Sequence, residues 1–86
     1  MDKHIILGIH VTDRVSKAGQ VQQILTEYGC SIKTRVGLHE VTETECSPRG
    51  LILLEVCGAE ATADEMLGKL SAIEGVDVQK MVFGHN

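Results

Sequence analysis

The stretch "HIILGIHVTDRVSKAGQVQQILTEYG", His4 to Gly29, changes its period part-way along, and that change decides the fold. In its first part Ile5, Leu7, Ile9 and Val11 alternate with His4, Ile6, Gly8 and His10. A two-residue repeat rich in branched side chains is a strand with one strongly apolar face. From Asp13 onward the apolar residues Val15, Ala18, Val21, Leu25 and Tyr28 recur every three or four positions, with Ile24 alongside. That spacing is one face of a helix of about four turns. Thr12 or Asp13 stands where an N-cap is needed, and Gly29 is placed to end the helix in the left-handed conformation. Gly19 inside the helix costs about 1 kcal/mol relative to Ala, which suggests close packing around it.

Outward from this unit, "CSIKTRVGLHEV" (30–41) alternates again, with Ile32, Val36 and Leu38 inward and Lys33, Arg35 and His39 outward. "TETECSP" (42–48) is polar, ends in proline and reads as a connecting loop. "GLILLEVCG" (50–58) is apolar on both faces apart from Glu55, as a central strand must be. "TADEMLGKLSAIEG" (62–75) opens with Thr62 and Glu65 at capping-box spacing, buries Met66, Leu67, Leu70 and Ile73, and closes with Gly75. "VDVQKMVF" (76–83) is the last strand. The order is β-α-β-β-α-β. Right-handed crossovers then put the first and third strands in the middle and both helices on one face. The expectation is an α+β, ferredoxin-like plait with a four-stranded antiparallel sheet, spanning residues 1–86 as a single domain.

The other face of that sheet is left open. Pairing Leu38 with Ile52 and Val36 with Leu54 sets Arg35 opposite Glu55, a cross-strand ion pair that keeps Glu55 partnered among leucines. The same register puts His39 beside Leu51. The open face then carries His4, Ile6, Gly8, His10, Arg35, His39, Leu51, Leu53, Glu55 and Cys57. Its centre is too apolar for water, and such patches mark interfaces. His10, Arg35, Leu51, Leu53 and Glu55 are the candidate interface residues of a homo-oligomer, a dimer or tetramer. Size argues the same way, because a chain of 86 residues buries only about 60–65% of its unfolded surface and gains stability by association.

The net charge is −4, and no cluster of Lys or Arg occurs. Direct nucleic-acid binding is not expected, since phosphate contacts need basic surface. Tyr28 and Phe83 are too few to stack single strands. The apolar run near the start is short and broken by His10, so neither a signal peptide nor a membrane span is expected. Cys30, Cys46 and Cys57 make no CxxC pair and read as ordinary reduced thiols of a cytoplasmic protein.

His39 and Cys46 are candidate metal ligands, because imidazole and thiolate together suit Ni, Zn or Co. They supply half a site; Glu40, Glu43 or Glu45, or a histidine of a second subunit, would have to complete it. No zinc spacing such as CxxC or HxxxH occurs, so the pair also reads as a surface histidine and a loop cysteine. No cofactor is assured. His4 and His10 stand about 20 Å apart along one strand face and cannot share an ion within one chain. A nucleophile with an orienting base and an oxyanion turn cannot be assembled, so no enzyme activity is expected. The turn "VTDRVSKAG" is the other candidate site. Helix-start N–H groups near Thr12, Asp13, Arg14 and Ser16 could face an anion, though a plain capped helix start has the same sequence.

"IHVTDRVSKAGQVQQILTEYGCSIKTR" resembles the opening half of an ACT regulatory domain, where a strand runs into Asp-Arg-Pro-Gly, then a helix, a glycine and a new strand. Asp13 and Arg14 match; Val15 and Ser16 replace the Pro-Gly pair. Over almost the whole chain, "VTDRVSKAGQVQQILTEYG", "TRVGLHEV", "CSPRGLILLEVCG" and "IEGVDVQKMVF" together are similar to the small ACT-like iron-only hydrogenase system regulators. That resemblance implies a plait related to the C-terminal domain of the nickel-responsive regulator, oligomerisation through the sheet, and a regulatory role. It implies action through a small-molecule effector or a protein partner, since the DNA-binding ribbon-helix-helix segment is absent. Against the nickel-regulator pattern of His-x-His on the second strand and a cysteine before the third, His39 matches, Val41 replaces the second histidine, and Cys46 precedes the third strand. A metal-binding protein using His39 and Cys46, and an adaptor binding a protein through the open face, are the alternatives.

Overall fold

A computed structural model describes the backbone of residues 3–41 and 46–84, and within it the side chains outside 14–15, 38–41 and 46–49. Strand β1 (Lys3–Val11) leads into helix α1 (Arg14–Glu27), and a single 3-10 turn at Gly29–Ser31 joins α1 to β2 (Ile32–Val41). Strand β3 (Cys46–Val56), helix α2 (Glu60–Ser71) and strand β4 (Val76–Gly84) follow. The sheet is antiparallel in the order β2-β3-β1-β4, with β1 and β3 central. This is the ferredoxin-like plait that the change of period leads one to expect.

The core lies between the sheet and the two helices. Ile5, Leu7, Ile9 and Val11 of β1 and Leu54 and Val56 of β3 meet Val21 and Leu25 of α1 and Ala63, Met66 and Leu70 of α2. Ile24, Tyr28, Ile32, Ile52 and Leu67 pack at its margin. The alternation in β1 carries over residue by residue, because burying one face leaves period two no other register. The helices are fastened at their ends. Lys69 Nζ lies 2.6 Å from Glu27 Oε2 and 5.0 Å from the centre of the Tyr28 ring, tying α2 to the end of α1. Lys80 of β4 reaches both Glu60 and Asp64 on α2, at 2.7 and 2.6 Å. Glu60 also takes Lys3 at 2.9 Å. With those two ammonium groups on it, Glu60 is held down to about 2 from the usual 4.5, hydrogen bonding from Lys80 leading.

Several local expectations are corrected. Gly29 is not left-handed; among the described residues the positive-φ positions are Gly58 and Gly75, and α1 ends instead in the 3-10 turn, which uses ordinary backbone. Gly75 has φ +83° in the turn that enters β4, where a left-handed residue lets Val76 N donate to the Ile73 carbonyl. Gly19 is not closely packed: a side-chain carbon there would meet nothing within 4 Å. Ala18 is exposed rather than buried. α2 begins two residues before Thr62, at Glu60 after Ala59, so Thr62 lies inside the first turn, its N–H donating to the Ala59 carbonyl. β3 begins at Cys46, so the connecting loop is shorter than 42–48 and its tip, 42–45, lies outside the described residues.

The register of β2 on β3 is also corrected. Thr34, not Arg35, lies opposite Glu55; Arg35 pairs with Leu54, Val36 with Leu53, Leu38 with Leu51 and His39 with Gly50. An irregularity between Ile32 and Thr34 shifts the strand by one residue, which exchanges its two faces from there on.

Candidate functional site

Three surfaces could carry function. The first is the turn from β1 into α1. Asp13 caps the helix as expected: its Oδ1 accepts from Ser16 N–H at 3.3 Å and its Oδ2 from Ser16 Oγ at 3.0 Å. Thr12 N–H donates to the Gly75 carbonyl at 2.9 Å, anchoring this turn to the one before β4. The helix start is thus answered by the protein's own carboxylate, which repels an external anion at that spot. The Arg14 side chain lies outside the described residues.

The second surface is a groove beside α1, about one turn further along. It has a volume of about 390 Å³ and is lined by Val11, Ala18, Gly19, Val21, Gln22, Arg35 and Ile52. It exists because the residues that could close it are small. α1 contributes Ala18 and Gly19, and the β2 position after Arg35 on the same face is Gly37, opposite Ile52. The corrected register moves Arg35 here from the open face. Sequence reasoning missed this groove. The signal was present in the Ala18-Gly19 pair and in Arg35 and Gly37 two apart on one strand, but it became readable only with the right register.

The third surface is the open face. Leu51, Leu53 and Glu55 lie on it as expected, with His10 of β1 opposite Leu51 on one side and Asp77 on the other. Val36 joins them, having been expected inward, and so do Met81 and Phe83 of β4, which pair with Ile6 and His4. Val36 is 44% exposed, Leu53 37%, Met81 55% and Phe83 53%, large values for apolar side chains on a sheet. Counting by twos from buried Val76 and Val78 puts Lys80 and Val82 on the helix side and so leaves Met81 and Phe83 on the open one. Glu55 keeps its charge without Arg35: His4 Nδ1 lies 3.2 Å away, Thr34 Oγ1 donates at 3.3 Å, and Lys33 Nζ stands at 4.0 Å. These groups, His4 first, hold the Glu55 carboxyl below its usual range against the opposing effect of burial.

His39 and Cys46 occupy strand positions near the β2–β3 connection, opposite Gly50 and Val41 respectively. Their side chains, with Glu40, Glu43 and Glu45, lie outside the described residues. Among the described residues no group of three His, Cys, Asp or Glu stands close enough to hold a metal ion. Cys30 and Cys57 are exposed and free, with Cys57 Sγ 3.5 Å from the Ser31 carbonyl. Among the described residues no helix is long and apolar enough to cross a membrane.

Comparison with solved structures finds the uncharacterized protein TM1266 from Thermotoga maritima at 28% identity and a TM-score of 0.81, covering 98% of this chain and 100% of that one. CPII from Thiomonas intermedia K12, a nitrogen regulatory PII-like protein bound to ADP, AMP and bicarbonate, matches at 16% identity and a TM-score of 0.57, over 95% of this chain and 96% of its own. A dimeric ferredoxin-like protein from an uncultured marine organism matches at 10% identity and 0.55, over 96% and 94%. At those two identities the likeness is one of fold alone. No curated protein matches the sequence. The family model described as "TM1266-like: Iron-only hydrogenase system regulator, putative" matches residues 3–80, and the chain belongs to that family.

Proposed function

We propose that this chain is a small regulatory module of an iron-only hydrogenase system, without a reaction of its own, that works as a homo-oligomer joined through the open sheet face and responds to a small-molecule effector in the groove beside α1. The observation that carries the reading is the open face itself. Val36, Leu51, Leu53, Met81 and Phe83 present exposed apolar surface on all of the strands but β1, and Ile6 of β1 lies between them. A domain this small rarely leaves such a patch in water. Family membership supplies the regulatory context.

The rim suits a self-complementary contact. Glu55 with His4 and Lys33, and His10 beside Asp77, place both charge signs around an apolar centre. Sedimentation of the untagged protein tests this. A dimer or tetramer is expected for the wild type, and Leu53→Asp is expected to yield a folded monomer, because two buried carboxylates would face each other or their neighbours' leucines. A monomeric wild type, or a Leu53→Asp variant of unchanged mass, overturns the reading.

A further inference from the structure

Among the described residues two cationic side chains, Lys17 and Arg35, have no carboxylate within 4.0 Å, and of the two it is Arg35 that lines the groove between α1 and β2. Lys3, Lys33, Lys69 and Lys80 each have a carboxylate within 4.0 Å. Arg35 has no carboxylate partner among the described residues, although the chain as a whole carries a net charge of −4. Its guanidinium offers a planar fork that matches a carboxylate with two hydrogen bonds. Beside it stand the apolar side chains of Val11, Val21 and Ile52 and the open backbone of Gly19. Gln22 is partly engaged, its Nε2 donating to Thr26 Oγ1 at 3.2 Å, which leaves its carbonyl oxygen as an acceptor.

We propose that this groove binds a small organic monoanion, a carboxylate carried on a short apolar body, with Arg35 as the partner of the charge. The volume, about 390 Å³, is at the small end of ligand pockets. One cation matches one negative charge; a di- or triphosphate would call for several. Apolar walls give the body of the ligand a place that water fills poorly. The site deepens the effector reading by naming its ligand class, and it does not involve the open sheet face.

Hexanoate is a suitable probe and hexanamide its neutral counterpart, followed by amide resonances of the ¹⁵N-labelled protein. Saturable shifts confined to Ala18, Gly19, Gln22, Arg35 and their neighbours are expected with hexanoate. Hexanamide should bind at least about tenfold more weakly, since a hydrogen bond to a charged group contributes that much. Arg35→Met, which keeps an unbranched apolar stem and removes the charge, should lose hexanoate to the same degree. Ala18→Leu should block the groove from its opposite wall with Arg35 intact. No saturable shift, equal binding of the amide, or an Arg35→Met variant that binds as before overturns the proposal. So does an Arg35→Met variant whose oligomeric mass changes while hexanoate shifts nothing, because the groove would then hold a second copy of the chain. Leu53→Asp separates the two proposals: the site predicts that it still binds hexanoate, whatever its mass.

Discussion

Gly19→Ala separates two physical readings of α1 by the sign of its effect. A glycine well inside a helix either makes room for a neighbour or simply weakens the helix. The structure favours the second: Gly19 is exposed, has an ordinary φ, and has open space where a methyl group would go. Replacement should therefore recover the helix-propensity difference of about 1 kcal/mol, part of it by restricting the unfolded chain. For a chain of 86 residues, the unfolding entropy near the midpoint is about 0.2 kcal/mol per degree, so Tm should rise by about 5 °C. Gly68→Ala on α2 is the companion. Its site is equally open, but it lies in the last turn, where Ala72 N–H closes on its carbonyl, and about half the gain is expected there. Circular dichroism melts at matched protein concentration provide the assay, since self-association makes Tm concentration-dependent. If Gly19→Ala melts at or below the wild-type temperature, α1 is packed closely at that point and the groove does not have the described shape.

Two further predictions concern a turn and an ion pair. Gly75→Ala should lower Tm, by about 1–2 kcal/mol of lost stability, because an L side chain is forced to a φ of +83°; an unchanged urea midpoint would show that the turn does not need that conformation. Glu60→Gln should melt below the wild type at neutral pH, and the gap should close as the pH falls. The Glu60 carboxyl is lowered in the folded chain from 4.5 to about 2, so its contribution is fully present above the unfolded value and is lost as pH drops between them. A gap that stays constant down to pH 2 would mean that Lys80 and Lys3 do not stabilise the charged form.

Most of the plait was legible because its elements have strong periods. β1 alternates over its whole length, Val21 and Leu25 mark the buried stripe of α1, and Met66, Leu70 and Ile73 mark that of α2. The exact ends of the helices were less so. Thr62 and Glu65 have the capping-box spacing, yet the chain already turns helical at Glu60, where the charge pairs with Lys80 and Lys3. Long-range ion pairs of this kind leave no local trace in the sequence. For the candidate sites, Asp13 was readable as the cap and Leu51, Leu53 and Glu55 as open-face residues. Arg35 was not placed correctly, and the reason is a single residue.

That residue is Lys33. Ile32 lies opposite buried Val56 and packs on the core, as expected from its apolar character. Continuing by strict alternation from Ile32 puts Val36 inward and Arg35 outward, on the face that carries Glu55, a pattern that looks right because it buries a valine and offers a charge pair. The extra residue between Ile32 and Thr34 breaks the alternation. Lys33 then approaches Glu55 in the role assigned to Arg35, and Thr34 and His4 add hydrogen bonds to the same carboxylate. Glu55 is therefore satisfied without Arg35, and Arg35 passes to the helix side with Gly37 as its neighbour on that face. Val36 moves the other way, and the open face gains an apolar residue. The bulge at Lys33 thus enlarges the apolar surface of the open sheet face and leaves Arg35 in the groove beneath α1 with no carboxylate partner among the described residues. Deleting Lys33 should therefore remove the bulge and change neither face: Thr34 would follow Ile32 opposite Glu55, Arg35 would stay opposite Leu54 and Val36 opposite Leu53, so amide shifts confined to residues near 32–34 and 55–56 are expected, and shifts spreading along β2 would refute this account.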